Sequence, residues 1–139
     1  MAITAAVCDS YTQDILSGTH TNTDTYKIAL YTSSATLSSG TTAYSATNEV
    51  SGTGYTAGGA SLTGFATSLD TGVAILDFTT DPTWTTATIT ARGALIYNSS
   101  KSNKAVCVLD FGSDITSTAG TFTVQFPAAT AAAGLVRIS

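Results

Sequence analysis

The strongest constraint on the fold lies in residues 89–112, which read ITARGALIYNSSKSNKAVCVLDFG. Apolar residues fill most odd positions on both sides of a polar segment, from Ile89 to Tyr97 and from Ala105 to Phe111. Alternation with a period of two is typical of β-strands, and a polar segment between two such runs predicts a hairpin. Several even positions are apolar as well, which indicates a sheet that is covered on both faces.

The hairpin predicts its own register and one ion pair. If both odd sets face one core, antiparallel pairing joins residues whose numbers sum to an even value. One such register makes three pairs: Tyr97 with Ala105, Leu95 with Cys107, and Arg92 with Asp110. We therefore predict a structural ion pair between Arg92 and Asp110, worth roughly 0–1 kcal/mol as a surface contact. The alternative is a polar contact at a subunit seam, where the planar guanidinium of arginine is favoured.

The rest of the chain predicts one short helix followed by strands. A helix over residues 9–18 would begin with a capping box of Ser10 and Gln13 and end at Gly18. Strands then recur over residues 26–138 at intervals of roughly 8 to 15 residues, which favours a β-sandwich or barrel. The 139 residues fit a single β-sandwich domain over residues 1–139.

Individual strands are predicted from short apolar runs separated by turns. The runs are TYKIALYT, VAILDFTT, TWTTATITARGALIYN, KAVCVLDFG, GTFTVQFP and AGLVRIS. Between the first two runs lies a long, small and polar excursion, with short strands expected near residues 43–46 and 55–62. Long loops in compact domains are usually functional or mobile. Residues Ser38 to Gly59 are our candidate contact region, because a flexible glycine-rich loop adapts to its neighbours.

Composition narrows the classes of partner. Charged residues make up 10% of the chain, against about a quarter in ordinary domains, and serine and threonine fill roughly a third of it. The net charge is −4 without a basic cluster, which argues against direct nucleic-acid binding. A surface so poor in charge is weakly protected against association, so we expect self-association, as a homodimer. No segment approaches the roughly 20 apolar residues of a membrane span, so no membrane partner is expected.

Few side chains in the sequence are candidates for catalysis or metal binding. His20 lies alone in a polar link, and we expect it to be solvated rather than catalytic. Cys8 and Cys107 are expected to be small buried apolar residues, because their spacing fits neither a zinc site nor a redox motif. Asp77 and Asp81 are candidates for the carboxylate pair of glycoside hydrolysis only in the weakest sense, because the sequence does not give the distance between them. The sequence therefore predicts a protein that is not an enzyme and has no catalytic residue, cofactor or metal site.

Four stretches, taken in order, resemble small virion proteins of tailed bacteriophages. They are AVCDSYTQDILSG, DTYKIALYTSSATL, NEVSGTGYTAGGASLTG and TWTTATITARGALIYN with KAVCVLDFG. The resemblance spans residues 5–138 and is closest to capsid cement, or decoration, proteins of the type described in a Bordetella podophage. It implies a jelly-roll β-sandwich located on the outer surface of the virion capsid. It also implies the major capsid protein as partner, bound by a small oligomer. The N-terminal residues MAITAAVCDS lack the basic segment and long apolar run of a secretory signal, so we expect the chain to be made in the host cytoplasm.

Two other functions remain open from the sequence. The first is a tail or head fibre module that binds a host receptor, and the second is an enzyme acting on cell-wall or glycan material. Copy number on purified particles separates the cement protein from the fibre module, because cement proteins occur in far larger numbers. The enzyme hypothesis requires His20, whose replacement by alanine would abolish any activity.

Overall fold

The chain forms eight strands and one helix in the computed structural model, which describes residues 2–138. In chain order these are β1 (Ala6–Val7), α1 (Asp9–Leu16), β2 (Tyr26–Tyr31), β3 (Ala60–Ser61), β4 (Phe65–Asp70), β5 (Val73–Phe78), β6 (Thr83–Asn98), β7 (Lys104–Thr123) and β8 (Val136–Ile138). Within the described residues, no helix has the length and apolar character that a transmembrane span requires.

The strands make two antiparallel sheets. One has five strands in the order β1-β7-β6-β2-β3, and the other has three in the order β4-β5-β8. This arrangement confirms the predicted all-β sandwich with one short helix. The sheets meet where the ring of Tyr26 stacks on Phe65 at 5.2 Å and contacts Phe78 at 5.7 Å, both measured between ring centroids.

The core is centred on the middle strands of the larger sheet. Burial there involves both faces of β6, because Ala94, Leu95, Ile96 and Tyr97 are each at most 2% exposed. Consecutive buried residues require cover on both sides of a sheet, as the apolar even positions of the hairpin predicted. The largest side chains that are almost fully enclosed include Tyr26, Ile28, Leu30, Tyr31, Val106 and Val108.

The helix begins earlier than its predicted cap. Cys8 is the N-cap, without a side-chain hydrogen bond, so the capping box of Ser10 and Gln13 is wrong. The cause is tertiary: the Cys8 amide donates to the Val106 carbonyl at 3.0 Å, which ties the start of α1 to β7. Ser10 then falls inside the helix, and its hydroxyl is buried without a partner.

The predicted helix end at Gly18 is confirmed. Gly18 has φ +72°, a conformation that glycine adopts without strain. Its amide donates to Ile15 at 3.0 Å, and the Thr19 amide donates to Asp14 at 2.9 Å. This pair of bonds is a Schellman motif, which satisfies carbonyls that the last turn leaves free.

The hairpin is longer and less regular than predicted. The run KAVCVLDFG and the first four residues of GTFTVQFP are not separate strands but belong to the single strand β7, which ends at Thr123 and pairs with β6 along both halves. Tyr97 pairs with Ala105 as predicted, but Leu95 pairs with Val108 instead of Cys107. A register shift between Ile96 and Tyr97 separates these pairs. Alternation in sequence cannot reveal such a bulge, because the bulge adds one residue to one strand only.

The excursion contains fewer strands than predicted. The expected strand at 43–46 is reduced to one bridge between Ala43 and Lys104, and the one at 55–62 to the two residues of β3. Two strands, β1 and β4, were not predicted. Three of the six residues of β4 are exposed and the other three are half-buried, so the strand lacks the apolar signal that marks the others.

Candidate functional site

Arg92 and Asp110 lie together in the hairpin. The Arg92 Nε donates to Asp110 Oδ1 at 3.2 Å, and the Gly112 amide donates to the same oxygen at 2.9 Å. Asp110 pairs with Gly93, one position from the predicted register, and residues 111–114 of β7 lie opposite Arg92 alone. The Gly112 amide and then the Arg92 guanidinium lower the pKa of Asp110. Since the side chains are 34% and 27% exposed, the contact is worth roughly 0–1 kcal/mol.

His20 is buried, which corrects the expectation of a solvated side chain. Its side chain is only 3% exposed, and its ring lies 4.7 Å from that of Tyr11, between centroids. Asn98 is fully buried, and its Nδ2 lies 3.0 Å from His20 Nδ1. Sequence reasoning missed this site, because a histidine in a polar link gives no signal of the strand that will cover it.

The tautomer of His20 follows from Asn98. The amide of Ser100 donates to Asn98 Oδ1 at 3.0 Å, which fixes the orientation of the Asn98 side chain. The Asn98 Nδ2 therefore donates, to Asp24 Oδ2 at 2.8 Å and to His20 Nδ1. Nδ1 of His20 must accept, so its proton sits on Nε2, which faces Asp14 Oδ2 at 3.5 Å.

Charged groups lie close to this histidine. Lys104 Nζ lies 3.5 Å from Asp14 Oδ2, and Lys101 Nζ lies 3.4 Å from Asp24 Oδ1. Burial lowers the pKa of His20 below its ordinary value, against the opposing effect of Asp14. For Asp24, burial would raise the pKa, but the Asn98, Thr21 and Lys101 contacts together lower it to about 2. Among the hydrogen bonds of residues 2–138, none joins His20 to a hydroxyl or thiol.

Asp77 and Asp81 line the same pocket, of about 350 Å³. Asp77 is 7% exposed; its Oδ1 accepts from the Phe78 amide at 2.8 Å, and its Oδ2 has no partner. Burial, and then the charge of Asp81, raise the pKa of Asp77. Asp81 accepts from the Phe126 amide at 3.0 Å. Unequal carboxyls can perform acid–base chemistry, but the pocket lining is otherwise apolar apart from the Thr79 side chain.

The cysteines are buried and free, as predicted. Burial raises the pKa of Cys8 to about 11 and also raises that of Cys107. A thiol with a raised pKa is a poor nucleophile and a poor metal ligand at neutral pH. Among residues 2–138, no group of three or more histidine, cysteine, aspartate and glutamate side chains is placed to hold a metal ion.

Glu49 organises the excursion from Ser38 to Gly59. Its carboxylate accepts from the Tyr44 hydroxyl at 2.6 Å, from the Tyr55 hydroxyl at 2.6 Å and from the Gly58 amide at 2.8 Å. Burial, and then the bond to Glu49, raise the pKa values of both tyrosines. Sequence reasoning missed Glu49, because its partners lie up to nine positions away in a segment without periodicity.

Further bonds tie the excursion to the larger sheet. The Leu30 amide donates to the Tyr55 hydroxyl at 2.9 Å, and the Tyr97 hydroxyl donates to the Gly58 carbonyl at 2.6 Å. The Tyr31 hydroxyl donates to the Ser45 carbonyl at 2.6 Å. The candidate contact region is therefore held in place by strands β2 and β6. Its exposed positions carry small polar or apolar side chains, among them Thr42, Ala43, Ala46, Thr47, Ser51, Thr53 and Thr56.

Comparison with known proteins gives no relative for this chain: no family model, no curated protein and no solved structure matches it.

Proposed function

We propose that this chain is a structural virion protein that binds the outside of a tailed-phage head and cements neighbouring major capsid proteins. The observation that carries the proposal is the sequence resemblance over residues 5–138. Its four stretches occupy β1 with α1, β2, the Glu49 segment with β3, and the β6–β7 hairpin. The strands among these elements are neighbours in the larger sheet, so the resemblance concerns one continuous part of the fold and not scattered fragments.

The excursion from Ser38 to Gly59 is the proposed capsid contact. The Glu49 network holds it in one conformation, and an ordered segment loses less conformational entropy on binding than a mobile one. Its exposed side chains are short and uncharged. Such a surface fits a neighbour by shape and backbone hydrogen bonds, which suits a protein that makes the same contact many times on a regular shell.

Repetition on the shell lets each contact be weak. A subunit that bridges two capsid proteins binds the second through a high effective concentration. Binding to the assembled shell, and not to separated capsid proteins, favours the shell by linkage. A cement protein therefore needs a rigid scaffold and complementary surfaces, and it needs no catalytic group.

Particles made with and without this protein test the proposal. We expect many copies per head in purified particles, and heads without the protein should lose resistance to heat and to chelators. Intact, equally resistant heads together with failed adsorption to cells would support the fibre module that binds a host receptor. Heads that never contain the protein would refute the proposal.

The contact region has its own test. Thr47→Lys introduces a long charged side chain on the excursion, and Ser68→Lys makes a comparable change at an exposed position of β4. We expect Thr47→Lys to reduce co-sedimentation with heads that lack the protein, and Ser68→Lys to leave it unchanged. Equal binding by both variants would exclude this part of the excursion as the contact.

A further inference from the structure

Ionisable side chains from four segments meet at one end of the molecule. Asp14 lies in α1, His20 and Asp24 lie in the link between α1 and β2, Lys101 lies in the loop between β6 and β7, and Lys104 begins β7. Asp14 Oδ2 is 3.5 Å from both His20 Nε2 and Lys104 Nζ, and Asp24 Oδ1 is 3.4 Å from Lys101 Nζ. A change of charge in this cluster therefore acts on all four segments.

Asn98 leaves no place for a second proton on the His20 ring. Its two Nδ2 hydrogens go to Asp24 Oδ2 and His20 Nδ1, and its Oδ1 accepts from the Ser100 amide. A proton on Nδ1 would therefore face a donor. Reversing the Asn98 amide does not help, because its nitrogen would then face the Ser100 amide and its oxygen the Asp24 carboxylate. The cationic form of His20 thus does not fit this hydrogen-bond network.

The groups around His20 set the balance between its neutral and cationic forms. The titratable and charged side chains that face the ring or its carboxylate partners come from α1, the link, β2, the β6–β7 loop and β7: Tyr11, Asp14, Asp24, Tyr26, Lys101 and Lys104. Both tyrosines are neutral in acid. Burial, with a smaller contribution from Lys104, lowers the pKa of His20 against the opposing effects of Asp14 and Asp24. The ring therefore takes up its second proton only below about pH 6.5.

The cationic ring has acceptors if Asn98 moves. Despite burial, its hydrogen bonds and the charge of Lys101 lower the pKa of Asp24 to about 2, so Asp24 remains ionised in mild acid. A histidinium donates from both ring nitrogens. Nε2 already faces Asp14, and Nδ1 gains an acceptor when Asp24 Oδ2 exchanges Asn98 for His20. Asn98 is fully buried, and it then loses both partners of its Nδ2 group, which is unfavourable unless it turns outward to water.

Asn98 and the residues after it hold the β6–β7 loop against the link. The Ser99 amide donates to the Thr25 carbonyl at 2.9 Å, and the Thr25 amide donates to Ser100 Oγ at 2.8 Å. The Ser100 amide, in turn, is bonded to the Asn98 side chain. When Asn98 turns outward, these contacts between loop and link lose their common support.

The same loop anchors the start of the excursion. The Tyr44 amide donates to the Asn103 carbonyl at 2.9 Å, and the Ala105 amide donates to the Thr42 carbonyl at 3.0 Å. Residues 42–44 therefore follow the loop when it moves. Asn98 is the last residue of β6, so such a movement affects the end of the hairpin and not the pairing along its length.

We propose that His20 is an acid switch: a second proton on its ring displaces Asn98 and opens the β6–β7 loop together with residues 42–44, while both sheets stay folded. The two states differ in the partner of Asp24, which is Asn98 at neutral pH and His20 in acid. This inference goes beyond the proposed function, because the switch is a property of the free chain and needs no capsid protein. It adds that a contact made by the start of the excursion weakens in mild acid.

Nuclear magnetic resonance of the native chain tests the switch without any variant. His20 is the single histidine, so the nitrogen signals of its ring report directly whether Nδ1 carries a proton. Amide hydrogen exchange, corrected for its intrinsic dependence on pH, reports the opening. As Nδ1 becomes protonated, the amides of Ser99, Ser100 and Tyr44 should exchange about tenfold faster or more. Amides of β4 and β5 should keep their protection.

Two variants assign the opening to His20. In His20→Asn, the new side-chain oxygen can take the place of Nδ1 as acceptor for Asn98, and it does not titrate, so the opening in acid should disappear. The matched control is Asp77→Asn, which removes the other buried group whose pKa is shifted by burial and should leave the opening unchanged. Circular dichroism checks that both variants are folded.

Three results would overturn the inference. The first is a His20 ring that takes up its proton while the amides of Ser99, Ser100 and Tyr44 remain protected. The second is an opening in acid that persists in His20→Asn or disappears in Asp77→Asn. The third is a ring that stays neutral until β4 and β5 also lose protection, because acid would then unfold the whole chain rather than open one end of it.

Discussion

At the scale of single residues, Glu49 is the side chain on which the excursion most depends. It accepts three hydrogen bonds, and bonds to a charged acceptor are worth about 1.5–3 kcal/mol each. Glu49→Gln replaces one acceptor oxygen with a donor that faces another donor. We expect it to lower the free energy of unfolding by about 2 kcal/mol, measured by urea denaturation. Asp114→Asn, at an exposed carboxylate, is the control and should change stability little.

His20 should make the fold sensitive to mild acid. Its pKa is lowered in the folded protein, so the unfolded chain takes up a proton first as the pH falls below about 6.5. The stability that neutral His20 contributes is therefore present above that pH and is lost as the pH falls toward the folded pKa. Urea denaturation at neutral pH and at mildly acidic pH should show a smaller loss for His20→Gln than for the native chain. An equal loss in both would contradict the buried neutral histidine.

Asp77 should make stability depend on pH in the opposite direction to His20. Burial raises its pKa in the folded protein, so its contribution to stability is complete below the unfolded pKa of about 3.9. That contribution is lost as the pH rises through the folded pKa, because ionisation charges a buried carboxyl whose Oδ2 has no partner. Asp77→Asn cannot ionise, so its stability relative to the native chain should increase from acidic to neutral pH. Thermal denaturation at several pH values measures this difference in stability. A difference that does not change with pH would show that the pKa of Asp77 is not raised in the folded protein.

At the scale of elements, the junction between the excursion and β2 depends on Gly59. Its φ is +80°, and a Cβ there would overlap the carbonyl oxygen of Ile28. Gly59→Ala should therefore force β3 away from β2 and open the end of the excursion. Gly72→Ala is a close control, because Gly72 has φ +87° but no atom lies within 4 Å of the position that its Cβ would take.

The two glycines separate backbone strain from steric overlap. Both substitutions incur the cost of a side chain at positive φ, about 1–2 kcal/mol, and only Gly59→Ala adds overpacking, which costs about 1–3 kcal/mol. Thermal denaturation should therefore show a clearly larger loss for Gly59→Ala. Similar losses would mean that the excursion moves aside freely.

At the scale of the whole molecule, the topology predicts slow folding. β1 pairs with β7 and β2 pairs with β6, and the open end of the β6–β7 hairpin joins Thr83 to Thr123, 40 positions apart. All-β domains dominated by such pairings fold in milliseconds to seconds. Trp84 is 6% exposed and is the single tryptophan, so stopped-flow fluorescence can follow its burial. Folding within microseconds would contradict this topology.

Local pattern was enough for several features. The alternation around Leu95 and Val108, the strand from Val73 to Phe78 and the helix end at Gly18 each follow from spacing of a few residues. The candidate ion pair of Arg92 and Asp110 also came from spacing, although the register near it is shifted. The burial of His20, the role of Glu49 and the continuity of β7 could not be predicted this way, because each depends on partners brought together by the fold.

The sequence by itself determined the all-β class, the main hairpin and the poverty of charge on the surface, because alternation, turn residues and composition are local properties of the chain. The tertiary structure decided the rest. Asn98 and Asp14 became the environment of His20, three donors converged on Glu49, and β1 ended after two residues to leave the edge of β7 free. These outcomes depend on which strands become neighbours, and that choice minimises the free energy of the whole chain rather than of any one segment.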